Sequence, residues 1–306
     1  MDLELDDDQR ALGDGIAAVL GGRFDSDRIR AGFDRTMYDE LAAAGVFSLR
    51  ADGFAWADTV VVFEQLGRHC VPGPLVACLL AGDLGVGDVV AGLVERGPDI
   101  WVEHLAVIET LFVLDEQSVV RVDPRALQAD VSPWPLDPIS PVARVRELPD
   151  GESIDADAQQ WYRAGAVLTA SLQLGLAQRC TELAVDYAKE RVQFDRPIAS
   201  FQAIKHLCAD MLTRTEVARA AVYAAGAHLD APGLAGVDSS VSIAKVMAGE
   251  AAIANGRAAT QIHGGMGFTW EVDVHLFLKR AWLLDTHFGT ADTHSDSMAA
   301  TLRGGV

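Results

Sequence analysis

The sequence predicts a mainly α protein with a small β domain set between two helical regions, an α+β chain, and three observations carry that reading. Apolar residues recur at helical spacing over the first ninety or so positions and again from Asp155 to the end. From about Gly97, short segments rich in Val, Ile, Leu and Phe alternate with acidic turns and then give way to a crowd of prolines. A hydrophobic content of 50% over 306 residues is enough to bury a core. The expected divisions are a helical domain at 1–96, a reduced β domain at 97–154 and a helical bundle at 155–306.

In the first region, Asp6, Asp7 and Asp8 suit the positive end of a helix over 5–21, with Leu12, Ile16, Val19 and Leu20 on its apolar face. Further helices are expected at 35–45, 55–69 and 73–82, punctuated by Gly45, Gly53, Gly67 and the Pro72-Gly73-Pro74 turn. The middle region reads as a meander of strands at 101–108, 110–115 and 117–122. Pro124, Pro133, Pro135, Pro138 and Pro141 then mark loop with edge strands, and a last strand is expected at 142–148.

The third region is more regular. Leu168, Leu172, Leu176, Cys180 and Leu183 form a stripe on a helix of roughly thirty residues. A second helix over about 200–229 carries Ile204, Leu207, Cys208, Met211 and Leu212 on one face and stops at Pro232-Gly233. A third, about 240–260, shows Ile243, Val246, Met247 and Ala251 and ends at the glycines 264, 265 and 267. Shorter helices follow at about 271–284 and 290–302. Long helices joined by short loops make a bundle.

Composition excludes several functions. A net charge of -19, with 25 Lys and Arg against 44 Asp and Glu, repels nucleic acid and anionic membrane over most of the surface. The acidic start MDLELDDDQR has no basic or apolar signal region. The most apolar window, 71–94, is broken by Pro72, Pro74, Asp83 and Asp88, so a membrane span is not expected and a cytoplasmic protein is. Cys70, Cys78, Cys180 and Cys208 lack CxxC spacing and read as free thiols, while the eight histidines form no metal-ligand pair.

Two stretches carry chemistry. In RVQFDRPIASFQAIKH, residues 191–206, Arg191 stands at a helix end where its guanidinium could fork onto a pyrophosphate. Pro197 is expected to end one helix and Ser200 to cap the next, which puts Gln202 in a first turn. In QIHGGMGFTW, residues 261–270, Gly264 and Gly265 let a ligand approach the backbone beside Gln261 and His263. Each stretch alone is ordinary surface structure: a charged helix end with a proline turn, and a glycine C-cap.

Together and in this order, RxQFxxPIxxFQxIKHxxADM followed by QIHGGxGFTWExDxHLxLKRA closely resembles the C-terminal domain of acyl-CoA dehydrogenases. The resemblance is strong over about 155–304, and the order of helical domain, β domain and bundle fits the rest. It implies FAD bound at a subunit interface, with Arg191, Phe194 and Gln202 matching positions that contact the neighbouring subunit's FAD. Gln261, His263, Gly264 and Gly265 match the segment along its adenosine and pyrophosphate. It further implies acyl-CoA as substrate, α-proton removal by a carboxylate while the β-hydride goes to the flavin, and an electron-transfer flavoprotein or similar acceptor.

The chain departs from that pattern where catalysis is concerned. The usual glutamate lies in a Tyr-Glu-Gly-Thr segment, and here the segment reads His287-Phe288-Gly289-Thr290. Phe288 cannot take a proton. The family's second base location aligns with Gly165. Asp285 and Asp292 are the nearby carboxylates, and each would need a different loop geometry. Asp195 stands where glycine is common, adding a negative charge that Arg196 could offset. The β domain lacks a CxTEPxAGSD-like stretch. These absences resemble the shorter, base-lacking subunit of heterotetrameric α2β2 steroid side-chain dehydrogenases. The alternatives are a homomeric enzyme using Asp285 or Asp292, and a flavin-free structural or regulatory partner.

Overall fold

A computed structural model describes residues 5–304 apart from 22, 24, 88 and 232. Asp88, Pro232, the first four residues of the acidic start and the last two of the terminal RGGV lie outside the described residues.

The N-terminal helices are α1 (Asp7–Leu20), α2 (Ser26–Ala31), α3 (Arg35–Ala43), α4 (Trp56–Arg68) and α5 (Leu75–Asp83). Asp6 caps α1 in a reciprocal box with Gln9, so two orphan backbone donors are satisfied at once. Helix α2 was not legible in the periodicity, because six residues are too few to show a stripe.

Seven strands follow: β1 (Ala91–Glu95), β2 (Ile100–Glu103), β3 (Thr110–Leu114), β4 (Val119–Val122), β5 (Ala129–Val131), β6 (Val142–Val145) and β7 (Glu152–Ile154). They do not form one meander. One sheet has the order β1-β3-β4-β7 with β1 parallel to β3, and a second has the order β2-β6-β5. The strand expected over 101–108 ends at Glu103, because His104 turns the chain with φ 55° and the next residues form a tight turn. Strand β1 lies before Gly97, in a stretch whose glycine and alanine hide its pattern.

The bundle comprises α6 (Ala158–Glu190), α7 (Gln202–Leu229), α8 (Val237–His263), α9 (Val274–Asp285) and α10 (Ala291–Gly304). Helix α6 is buried on almost every side from Ala164 to Ala177, as a helix at the centre of a bundle must be. It passes so close to α4 that a Cβ on Gly175 would lie 2.0 Å from the Glu64 carbonyl oxygen. Glu64 is itself fully buried. It accepts from Tyr223 Oη at 2.6 Å and pairs with Arg219, tying the N-terminal layer to α7. That pairing satisfies a charge whose isolated burial would be prohibitive.

The expected apolar face of α7 holds except at its end: Met211 is buried, Ile204, Leu207 and Cys208 pack partly covered against the core, and Leu212 is 54% exposed. That of α8 is turned differently. On α8, Ile243 is 44% exposed, Val246 and Met247 are only partly covered, and the buried face is made of Ala244, Ala248, Ala251 and Ala252. Small side chains let α8 approach α6 closely, so the larger ones are left outward. Three of the four cysteines are buried free thiols, and Cys208 is partly exposed.

Candidate functional site

Helix α6 ends at Glu190. Its cap, Arg191, takes extended dihedrals (φ -70°, ψ 119°), so the chain leaves as a strand. Strands β8 (Val192–Gln193) and β9 (Arg196–Pro197) then form a two-residue hairpin, with Phe194 and Asp195 at φ 55° and 59°. Both central residues at positive φ is the primed turn that matches strand twist. It explains why glycine suits position 195 and why Asp, which tolerates this region better than most, can replace it. Pro197 therefore does not end a helix but lies in β9. Ser200 does not cap α7 either: a 3-10 turn (Ile198–Ser200) intervenes, and the cap position falls on Phe201 without a side-chain bond. The Arg196 guanidinium lies 4.2 Å from the centre of the Phe201 ring.

The hairpin base is closed by the Ile198 N–H donating to the Arg191 carbonyl at 2.8 Å. It stands against the end of α8, where Gly264 (φ 64°) turns the chain into a 3-10 segment over Gly264–Phe268. The two sequence motifs thus meet in one open cleft of about 590 Å³, lined by Tyr187, Arg191, Gln193, His263, Gly264 and Gly265 among others. Arg191 is exposed and makes no ion pair among the described residues, and nothing approaches the side-chain directions of Gly264 and Gly265. A free guanidinium beside open backbone fits a phosphate-bearing group. Glu271 also lines the cleft and adds one opposing charge.

His263 is better defined than its sequence suggested. Its Nδ1 lies 2.8 Å from the Ala259 carbonyl oxygen and therefore carries the proton, leaving Nε2 as an acceptor. Burial lowers its pKa, and the ring stacks on Tyr187 at 4.1 Å. It is a neutral acceptor held on an aromatic platform. Phe194, Gln202 and Gln261 do not line the cleft: Phe194 is 85% exposed at the hairpin tip, Gln202 opens α7 and Gln261 faces solvent in the last turn of α8.

A second, more enclosed chamber of about 460 Å³ lies between α5, β1, β2 and the end of α9. Leu75, Val76, Leu93, Leu172 and Leu283 form apolar walls, and Phe288 stands at one end. Phe288 and Gly165, apart in sequence, touch: a Cβ on Gly165 would lie 2.2 Å from the Phe288 ring. Glycine on α6 is what gives the phenyl ring its seat. Phe288 is 4% exposed with φ 52°, and its backbone is held on both sides. Its carbonyl accepts from Tyr162 Oη and His294 Nε2, each at 2.8 Å, and its N–H donates to Glu95 Oε1 at 2.6 Å. His294 is kept neutral by burial, with Nδ1 3.0 Å from Ser242 Oγ.

Glu95, Glu103, Tyr162 and His294 are site residues the sequence did not reveal. Burial pushes the Glu95 carboxyl up. Burial would also raise Glu103, but His287 at 2.5 Å holds it down to about 2. Neither sequence candidate for the base reaches the chamber. Asp292 is exposed in the first turn of α10. Asp285 turns toward α8, where Oδ1 is buried without a partner beside Gly249 and near the Gln173 amide. Lys245, also fully buried there, donates to the Leu284 carbonyl at 3.2 Å and is lowered by burial to about 8.

Comparison with known proteins bears on this arrangement. Residues 158–302 match the acyl-CoA dehydrogenase C-terminal domain. Acyl-CoA dehydrogenase IpdE2 of Mycobacterium tuberculosis is 32% identical over 286 residues, spanning 86% of this chain and 85% of the relative. The chain belongs to the acyl-CoA dehydrogenase family. The IpdE2 of Mycolicibacterium smegmatis is 31% identical and is spanned to 93% of its length. In fold, this acyl-CoA dehydrogenase is similar to a chain of the ChsE4–ChsE5 complex of Mycobacterium tuberculosis, with a TM-score of 0.81, 20% identity and 99% of each chain covered. No helix among the described residues is long and apolar enough to cross a membrane.

Proposed function

We propose that this chain is the base-lacking subunit of an α2β2, FAD-dependent acyl-CoA dehydrogenase that introduces an α,β double bond into a bulky, steroid-derived acyl-CoA. One observation carries the reading. Phe288 and Gly165, the two positions at which the family would present its carboxylate, lie against each other and neither can accept a proton. The homologous partner then supplies the base.

This chain's contribution is the cleft. Arg191 would fork onto the pyrophosphate of FAD held mainly by the partner, and Gly264 and Gly265 would admit its backbone-side oxygens. His263 Nε2 would accept a hydrogen bond from the adenosine end. Phe194, Gln202 and Gln261, exposed around the cleft rather than in it, would be covered by the partner and complete the contact. FAD supplies the hydride acceptor, and an electron-transfer flavoprotein or similar carrier would reoxidise it in the cytoplasm.

A partner is supported independently by the outward apolar residues Leu212, Val217 and Ile243, which a chain standing alone would leave in water. The ChsE4–ChsE5 structure is that of a complex of two named chains. Co-expression with a longer homologous chain should yield a yellow complex that oxidises acyl-CoA with an artificial acceptor. Full activity of this chain purified alone would overturn the proposal, and a colourless complex would favour a flavin-free partner instead.

A further inference from the structure

Helix α8 carries an outward row that the bundle leaves uncovered. Ile243, Glu250 and Arg257 follow one another at a spacing of seven residues, Gln261 stands one turn further on, and all four are exposed. Seven residues are close to two full turns, so the four lie in one line along the helix. Ile253 and Ala254, half-buried, flank that line midway between Glu250 and Arg257.

The two charges in the row are unanswered within the chain. Glu250 makes no hydrogen bond or ion pair among the described residues, and Arg257 has only the Trp282 ring, whose centre is 6.0 Å from its guanidinium carbon. At the start of the same helix, by contrast, Asp238 is paired with Arg163 at 2.7 Å. About 10 Å of helix rise separates Glu250 from Arg257, too far for one to answer the other. The row also runs into the cleft, because Gln261 is followed by His263, Gly264 and Gly265, which line it. A surface that covers the cleft therefore continues along this helix.

We infer that the outward face of α8 seats the corresponding helix of the homologous partner chain, packed antiparallel across an approximate twofold, with a base of that helix opposite Glu250 and an acid opposite Arg257. The inference rests on the proposed function and names where its partner docks. An acid and a base placed evenly about an apolar midpoint are met by a helix running the other way, which is the relation a twofold gives to equivalent helices. Ala254, small and central, lets the two axes come within the about 8–10 Å of ordinary helix packing.

The co-expressed complex tests this, with assembly followed by sedimentation over a dilution series. Glu250→Arg and Arg257→Glu should each weaken assembly by about tenfold, and E250R/R257E together by about a hundredfold, because each reversal sets like charges against each other. Raising the salt should then strengthen assembly of the double variant while weakening that of the unsubstituted complex. Ala254→Trp should weaken assembly at any salt, and thermal unfolding of the isolated chain should confirm that the variants fold. Assembly restored in the double variant would overturn the assignment in favour of a second copy of this chain, since a self-pairing face exchanges both charges at once. Assembly unchanged in every variant would overturn it outright; if that complex is yellow and active, the proposed function stands without this surface. Failure of any homologous chain to form a complex would overturn both.

Discussion

The cleft and the chamber are two cavities in one chain, and they differ in how their polar groups are spent. In the cleft, Arg191 and the backbone of Gly264 and Gly265 are exposed and uncommitted. In the chamber, the backbone of Phe288 is used on both sides, by Glu95 and by Tyr162 with His294, and the ring is packed on Gly165. Uncommitted groups at a surface belong to something that arrives. Groups satisfied within the chain hold shape instead, so on the proposed reading the cleft is the part left open to a partner's cofactor, while the Phe288 backbone serves packing.

The contrast can be broken most sharply at Phe288. Phe288→Ala should destabilise the chain by about 3–5 kcal/mol, the cost of emptying a buried aromatic site, while leaving flavin retention by the complex unchanged. Urea denaturation measures the first and the flavin absorbance of the purified complex the second. Equal loss of both would mean that the two cavities are one unit.

His104 sharpens the chamber's side of the comparison through pH. Burial lowers its pKa to about 4 despite the opposing pull of Glu103, so the unfolded chain takes up a proton at higher pH than the folded one. The stability it contributes should be complete above about pH 6.5, the unfolded value, and should fall as pH drops toward 4. Melting temperatures followed over that window should decline less steeply in His104→Phe.

Arg191→Ala probes the other cavity. Chain stability should stay within about 0.5 kcal/mol, as for an exposed group with no internal partner. Affinity of the complex for flavin should fall by roughly 1.5–3 kcal/mol if one charge-assisted contact is lost. A stability change without a flavin change would make Arg191 a structural residue. The smallest effect is expected at the hairpin tip: Asp195→Gly should raise stability by about 1 kcal/mol, because glycine enters the left-handed region freely. Thermal unfolding suffices to see it.

The order of helical region, small β region and bundle was legible in the sequence because 3.6-residue stripes and proline runs are local signals. The pairing of the two motifs was also legible, through resemblance. What the sequence hid were relations between distant positions. Nothing in AGLVE announces that Glu95 will meet the Phe288 backbone 193 residues later. Nor does Gly165, early in α6, say which side chain will lie on it. The face of α8 was misread for a related reason: apolar spacing locates a stripe, but in a helix with one small and one large apolar face only packing decides which is inside. Asp285 looked available because it is close to Phe288 in sequence, and a turn of helix is enough to send it to the other side.

The outward face of α8, with Ile243 exposed and Val246, Met247 and Ile253 only partly covered, bears on the life of the chain in the cell. An unassembled copy displays greasy surface of the kind that chaperones and proteases survey. Its abundance should therefore follow that of whatever covers the face, so that inducing this gene alone gives little lasting protein and inducing both gives matched amounts. Stoichiometry would then be set by survival rather than by synthesis.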